Sequence, residues 1–259
     1  MTEIQDQDYY VKLLRNGCYD KLFFLDKIFD WRTLVDYGCA DGYLTKIIAR
    51  VFPDKKVYGL DIDKKMIVAA RSTGELPENV VFGNQRMPGD VLNLSSVIHE
   101  EECYGTKETI DKFWEYVFYS GFKYIVVRDM MWGRDNNPGR SYPHELAAVM
   151  SWVRENHKMD ELSRFKEAFS CDLSKYKDLI HFCLKYLYMD SPNWGREVME
   201  DYFSFTELDL MLINNRMGNK YTLEFSTAYT LPYLKQRWRQ DFGVDIQAKT
   251  HSQIILRRK

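Results

Sequence analysis

At 259 residues, with 36 Lys and Arg against 38 Asp and Glu, the chain has room for one large domain or a domain with a sizeable insertion, and its formal net charge is −2. That balance argues against broad sequence-blind nucleic-acid binding, though a local basic patch survives it. Five cysteines without a CxxC pair point to reduced thiols rather than a disulfide frame or metal site, and no leader or membrane-span run is visible, so the expectation is a cytoplasmic protein.

Residues 5–30 read as one or two helices, with Tyr9, Tyr10, Leu13 and Leu14, then Leu22, Phe23, Leu25, Ile28 and Phe29 at helical spacing. Thr33–Tyr37 reads as a short buried strand. A turn follows with Gly38, Ala40 and Gly42, and then a helix over 41–51. Such a turn lets a ligand lie against bare backbone at a helix N-terminus. Strand 2 is expected at 56–61, a helix at 63–72, strand 3 at 79–82, strand 4 at 90–96, a helix at 106–119 and strand 5 at 122–127. Strands alternating with helices imply a parallel sheet with right-handed crossovers.

After Asp129 the rhythm stops. Residues 132–143 form a loop rich in Gly, Pro and Asn. Helices are expected at 143–157, 159–170 and 173–189, with two more near 195–215, the last opened by a capping box at Ser204 and Glu207. One crossover helix suffices between parallel strands, so roughly 50 surplus residues form an inserted helical subdomain. Closing strands are expected at 220–229 and 249–257, joined by the amphipathic stretch 233–241.

The pattern Asp36-x-Gly38-x-x-x-Gly42, followed about 20 residues on by Gly59-Leu60-Asp61, resembles class I S-adenosylmethionine (SAM)-dependent methyltransferases. The acid ending strand 1 separates it from nicotinamide enzymes: a carboxylate there repels a pyrophosphate but tolerates the cationic amino-acid end of SAM. The resemblance implies an α/β fold, with a seven-stranded, doubly wound, mostly parallel sheet whose last strand is antiparallel. A helical lid is inserted between strands 5 and 6. The domains are then an N-terminal helical segment 1–30, a Rossmann-like SAM-binding domain 31–132 plus 219–259, and a helical substrate or lid subdomain 133–218. SAM is the implied cofactor. The turn residues Asp36, Gly38, Cys39, Ala40, Gly42 and Tyr43 hold it, with Ser95 at the end of strand 4. In the resembling family Asp61 takes the ribose hydroxyls, Ile62 lies on the adenine face, and Asn84 or Gln85 meets the adenine amine. A preceding helix often covers the cofactor there, which gives Tyr9 or Tyr10 a second role beside packing.

Methyl transfer needs alignment and exclusion of water, and a base only where the acceptor is protonated. His99 has the pKa for that task, with Glu100 as the alternative. Arg128 and Asp129 bind an acidic substrate group or pair with each other to close the sheet edge. In the insert, Trp194, Glu197 and Tyr202 suit an acceptor pocket, while Arg196 and Glu200, at i and i+4, read as a surface ion pair. The Asp/Asn-Pro-Pro-Tyr/Phe motif of amino-directed DNA methyltransferases is absent, since the chain reads Asn93-Leu94-Ser95-Ser96. A small-molecule acceptor is the first expectation. RNA is the second, resting on Lys235, Arg237, Arg239 and Trp238 with the terminal Arg257-Arg258-Lys259. A silent SAM-binding subunit, or a SAM enzyme that does not transfer methyl, stays open. The sequence does not give the oligomeric state.

Overall fold

The computed structural model describes residues 17–137 and 139–259, so Tyr9, Tyr10 and the first part of the expected leading helix lie outside the described residues. Two compact units are present. The sheet unit contains 17–129, Glu207–Thr227 and Ser252–Lys259, and the helical unit contains Met130–Thr206 and Ala228–His251. The division falls differently from the expected insert of 133–218, because residues from Glu207 onward go with the sheet and the 232–242 helix goes with the helical unit.

The strands are β1 (Thr33–Tyr37), β2 (Lys56–Leu60), β3 (Val80–Gly83), β4 (Val91–Ser95), β5 (Tyr124–Met130), β6 (Tyr221–Tyr229) and β7 (His251–Arg258), in the order β3-β2-β1-β4-β5-β7-β6. The pairs β1–β2, β1–β4, β2–β3 and β4–β5 are parallel. β7 runs antiparallel to both neighbours. Arg258 N donates to Lys123 O (2.9 Å) beside β5, and Lys259 N donates to Lys220 O (2.9 Å) beside β6. The expected antiparallel last strand is therefore present.

The helices are α1 (Tyr43–Val51), α2 (Lys64–Ser72), α3 (Ile98–Tyr104), α4 (Lys107–Tyr119), α5 (Pro143–Glu155), α6 (Met159–Phe169), α7 (Tyr176–Lys185), α8 (Trp194–Glu197), α9 (Glu207–Arg216) and α10 (Pro232–Phe242). Local chemistry sets their starts. Asp63 caps α2 by accepting from Lys65 N (2.8 Å), and Thr106 caps α4 by accepting from Thr109 N (3.3 Å). Ile48 of α1 and Ile67 of α2 pack with Leu34, Val57, Val91 and Val126 of the central strands and with Phe24 and Ile28 of the leading segment.

Several boundaries differ from expectation. Residues 17–30 form a 3₁₀ turn at Asp20–Leu22 and further turns rather than a long helix. Their backbone bonds mostly span three residues, as in Leu22 N to Tyr19 O, so no α ladder forms. Two residues separate β4 from α3, a short helix that the sequence reading does not assign. β5 reaches Met130, so Arg128 and Asp129 are successive strand residues and their side chains leave opposite faces of the sheet. α9 starts at Glu207 itself, which leaves Ser204 ahead of any N-cap position; Glu207 instead accepts from Ser226 Oγ (2.5 Å).

In the helical unit, Val149 and Val153 of α5, Phe165 of α6, Leu179, Ile180 and Phe182 of α7 and Trp238 of α10 form one core. The Trp238 indole is fully buried and its Nε1 donates to Cys183 O (2.8 Å). That removes it from the exposed basic and aromatic stripe read from the sequence, because its ring is the apolar side of an amphipathic helix.

Candidate cofactor and active site

Asp36, near the end of β1, is 2% exposed. Its Oδ2 accepts from Thr45 Oγ1 (2.6 Å) of α1 and its Oδ1 from Asn93 Nδ2 (2.8 Å) of β4. Burial raises its pKa, outweighing both hydrogen bonds. Asp36 thus fastens the helix that follows the turn to the neighbouring strand. The turn itself is left-handed at Gly38 (φ 73°), Ala40 (φ 47°) and Gly42 (φ 72°). A Cβ at Gly42 would lie 2.4 Å from the Phe82 ring, so this position needs glycine for space as well as for φ. Gly38 N (2.8 Å) and Cys39 N (2.9 Å) both donate to Leu60 O, which ties the turn to β2. The Cys39 thiol is buried and its pKa pushed up; Tyr43 opens α1 and is partly exposed.

Asp61 follows β2. Its Oδ2 accepts from Ala40 N and its Oδ1 from Asp63 N, both at 2.8 Å. Burial pushes its pKa up to about 6 against the pull of those two N–H groups. A carboxylate has about four acceptor sites, so two remain for ribose hydroxyls. Ile62 beside it is 79% exposed. Asn84 and Gln85 are exposed after β3. On β4, Asn93 Oδ1 and Ser95 Oγ are buried with no hydrogen-bond partner among the described residues. The residues present fit SAM: a strained backbone turn, an acid with spare lone pairs, and two orphaned polar atoms on the adjacent strand.

His99 lies in the first turn of α3, and its Nδ1 is 2.6 Å from Asp129 Oδ1. Both are nearly closed to solvent, at 3% and 1% exposed. Asp129 Oδ2 accepts from Val97 N (3.1 Å) and Ile98 N (2.7 Å), so one carboxylate caps the start of α3 and orients the imidazole. Glu100 is partly exposed on the same helix. Arg128 is paired with Asp20, Nε to Oδ2 at 2.6 Å, and its Nη1 donates to Ser96 Oγ (3.0 Å). Arg128 and Asp129 were expected to meet a substrate group or each other. They serve separate partners because the pleat sends them to opposite faces. Asp20 also accepts from Gln253 Nε2 (3.0 Å). Lys21, which the sequence reading does not single out, is 9% exposed; burial and then Arg128 push its pKa down to about 8, against Asp36, Asp129 and Asp20.

Within the helical unit, Tyr202 Oη lies 2.5 Å from Glu197 Oε2, and Lys185 Nζ donates to Glu197 O (2.5 Å) while sitting 3.3 Å above the Tyr202 ring. Arg196 Nη2 and Glu200 Oε1 pair at 3.0 Å, at 5% and 3% exposed, so the expected surface pair is a buried one. Spacing revealed the pair; only packing reveals its burial. The Trp194 Nε1 is buried with no hydrogen-bond partner among the described residues.

Residues 30–94 match the family model described as a methyltransferase domain, a segment that holds the turn, Asp61 and Asn93. Among solved structures, the fold is similar to human N-acetylserotonin methyltransferase in complex with SAM, at TM-score 0.52 and 13% identity over 97% of this chain and 54% of that one. It is also similar to magnesium protoporphyrin IX methyltransferase from Synechocystis PCC 6803 with bound SAH, at TM-score 0.51 and 12% identity over 100% and 89%. A SAM-dependent methyltransferase from Aquifex aeolicus gives TM-score 0.50 and 12% identity over 99% and 100%. This chain spans about half the length of the human enzyme. No curated protein sequence matches it.

The chain shares its fold with SAM-dependent methyltransferases of known structure, and residues 30–94 match a methyltransferase domain model. Among the described residues no helix is long and apolar enough to cross a membrane.

Proposed function

We propose that the protein transfers the sulfonium methyl group of SAM to a small-molecule acceptor by in-line displacement, with His99 taking the acceptor's proton. The observation that carries this reading is the buried His99–Asp129 pair at the junction of β4 and α3, on the strand next to the cofactor turn. SAM, when bound, supplies an already activated methyl carbon, so the protein's work is alignment and, for a hydroxyl or similar acceptor, proton removal. The turn Gly38–Cys39–Ala40–Asp41–Gly42–Tyr43 cradles the cofactor, Asp61 accepts from its ribose, Ile62 covers its base, and Asn84 or Gln85 meets the adenine amine. Asp129 holds the His99 proton at Nδ1, which puts the basic lone pair on Nε2. Glu100 stands as the alternative base. Among the helical-unit candidates, Trp194 keeps an unmatched donor for an acceptor, whereas Glu197 and Tyr202 bond each other.

Charge supports a small molecule over RNA. On α10, Arg237 pairs with Asp241 and Arg239 with Asp245, both at 2.7 Å, and Arg257 lies 3.6 Å from Glu224. The stripe that suggested phosphate contacts is largely neutralised. The names of the human and Synechocystis neighbours also denote small acceptors. A reducing cytoplasm suits cysteines none of which is in a disulfide.

The test is incubation with methyl-labelled SAM and fractionated cell extract, comparing the wild type with His99→Ala. Label entering a small-molecule fraction, lost in the variant while cofactor binding persists, supports the reading. Label entering RNA with a steep salt dependence replaces it with the RNA alternative. Retained binding with no labelled fraction points to a silent subunit.

A further inference from the structure

α3 is seven residues long, and Val97 at its start offers no side-chain cap. A helix this short does not sustain itself in water, so bonds from other elements set its position. Asp129 of β5 supplies one, capping the start and holding His99 Nδ1. A second lies two residues on. Glu101 Oε1 accepts from Tyr37 Oη (2.9 Å), and Tyr37 is the last residue of β1. A third joins α4, where Trp114 Nε1 donates to Glu102 Oε1 (3.0 Å).

β1 and β5 flank β4, the strand from which α3 emerges. Successive helical residues turn by about 100°, so His99 and Glu101 leave α3 on nearly opposite sides. One is held toward β5 and the other toward β1. A single anchor beside His99 would let a short helix roll about it; the bond on the far side removes that motion. Tyr37 is itself braced, its ring centroid 5.5 Å from that of Phe113 and 5.9 Å from that of Tyr116, both on α4. Burial raises the pKa of Glu101, and the Tyr37 hydroxyl opposes this by donating to the charged form. Arg86 acts on both groups through its charge, while its Nη1 donates to Lys112 O (2.7 Å). Tyr37 also immediately precedes Gly38, so the residue that holds α3 leads straight into the left-handed turn.

We propose that Glu101, through its hydrogen bond to Tyr37, is a positioning residue for His99: it fixes the roll of α3 and so keeps the Nδ1 edge of the imidazole on Asp129. The inference rests on the reading of His99 as the base. It ties the strand that leads into the cofactor turn to the helix that carries the base.

Nuclear magnetic resonance of the full chain with isotope-labelled histidine tests it, since the chain has five histidines and His99→Ala identifies the His99 signals. At neutral pH the wild type should show His99 protonated at Nδ1 and bare at Nε2. Tyr37→Phe and Glu101→Ala should blur that signature into a mixture of tautomers. Glu101→Gln, whose amide oxygen still accepts from Tyr37, should keep it. Label passing from methyl-labelled SAM into the small-molecule fraction should fall in parallel by roughly tenfold to a hundredfold in the first two variants, the scale of an ångström-level misplacement, with SAM affinity unchanged by calorimetry. A wild-type signature in Tyr37→Phe overturns the assignment, as does its loss in Glu101→Gln. A wild-type His99 protonated at Nε2 instead overturns the base reading itself, and this inference with it. Tyr37→Phe keeps the packed ring, so it decides alone if Glu101→Ala does not fold.

Discussion

His99 Nδ1 and Asp129 Oδ1 lie 2.6 Å apart, joining two residues thirty positions distant in the chain. The same carboxylate holds two N–H groups of the α3 start, so it cannot swing away from the ring without uncapping the helix. Replacing Asp129 by Asn keeps the shape but offers one acceptor oxygen instead of two. Turnover should fall by roughly 10²–10⁴, the contribution of a well-placed general base, with SAM affinity preserved. Steady-state rates beside calorimetry check this, and a variant with wild-type turnover removes the pair from the mechanism.

Cofactor affinity should depend on pH through Asp61. Its pKa is pushed up to about 6 by burial, so its carboxylate is ionised and accepting at neutral pH and protonated below that value. Each pH unit below about 6 should therefore weaken binding by up to about tenfold, the slope for one required deprotonation. The acid limb should disappear in Asp61→Asn, which starts weak and stays flat. Titrations between pH 5 and 8, about the span around that pKa, show which holds.

Gly42→Ala is expected to damage the turn twice. The left-handed φ of 72° disfavours any Cβ, and the added methyl meets the Phe82 ring at 2.4 Å. The φ penalty alone is about 1–2 kcal/mol. Thermal unfolding should register that loss, together with weakened SAM binding; a variant as stable as the wild type contradicts the geometry.

Trp238→Ala probes the helical unit. The indole is completely enclosed and its Nε1 satisfies Cys183 O. Truncation should cost about 3–5 kcal/mol. Denaturant titration read by the remaining tryptophans measures it, and a loss below about 1 kcal/mol would mean the cavity collapses freely.

The parts that the sequence displays are the local ones. β1, its glycine turn and the acid after β2 are contiguous or separated by one helix, and their residue types follow from backbone sterics at Gly38 and Gly42. The alternation of short apolar runs with amphipathic stretches likewise exposes the first five strands, and the two closing strands at 221–229 and 251–258 are legible too. What stays hidden is whatever depends on distant pairing. Arg128 finds Asp20 more than a hundred positions away, and nothing in Arg128-Asp129 signals that this base and this acid part company across the pleat. α3 is short, and its helical start is capped by a residue on another strand. Lys21 reads as an ordinary charge between Asp20 and Leu22, and only packing shows its enclosure.

The strand order has one more result. β7 lies between β5 and β6, though β6 is synthesised before it. As the chain leaves the ribosome, β6 has no sheet neighbour to bond with until residues 251–258 have emerged and slid into the gap. The five parallel strands that carry the turn, Asp61, His99 and Asp129 can pair earlier, so the half of the molecule bearing its chemistry is assembled before the sheet's far edge is sealed.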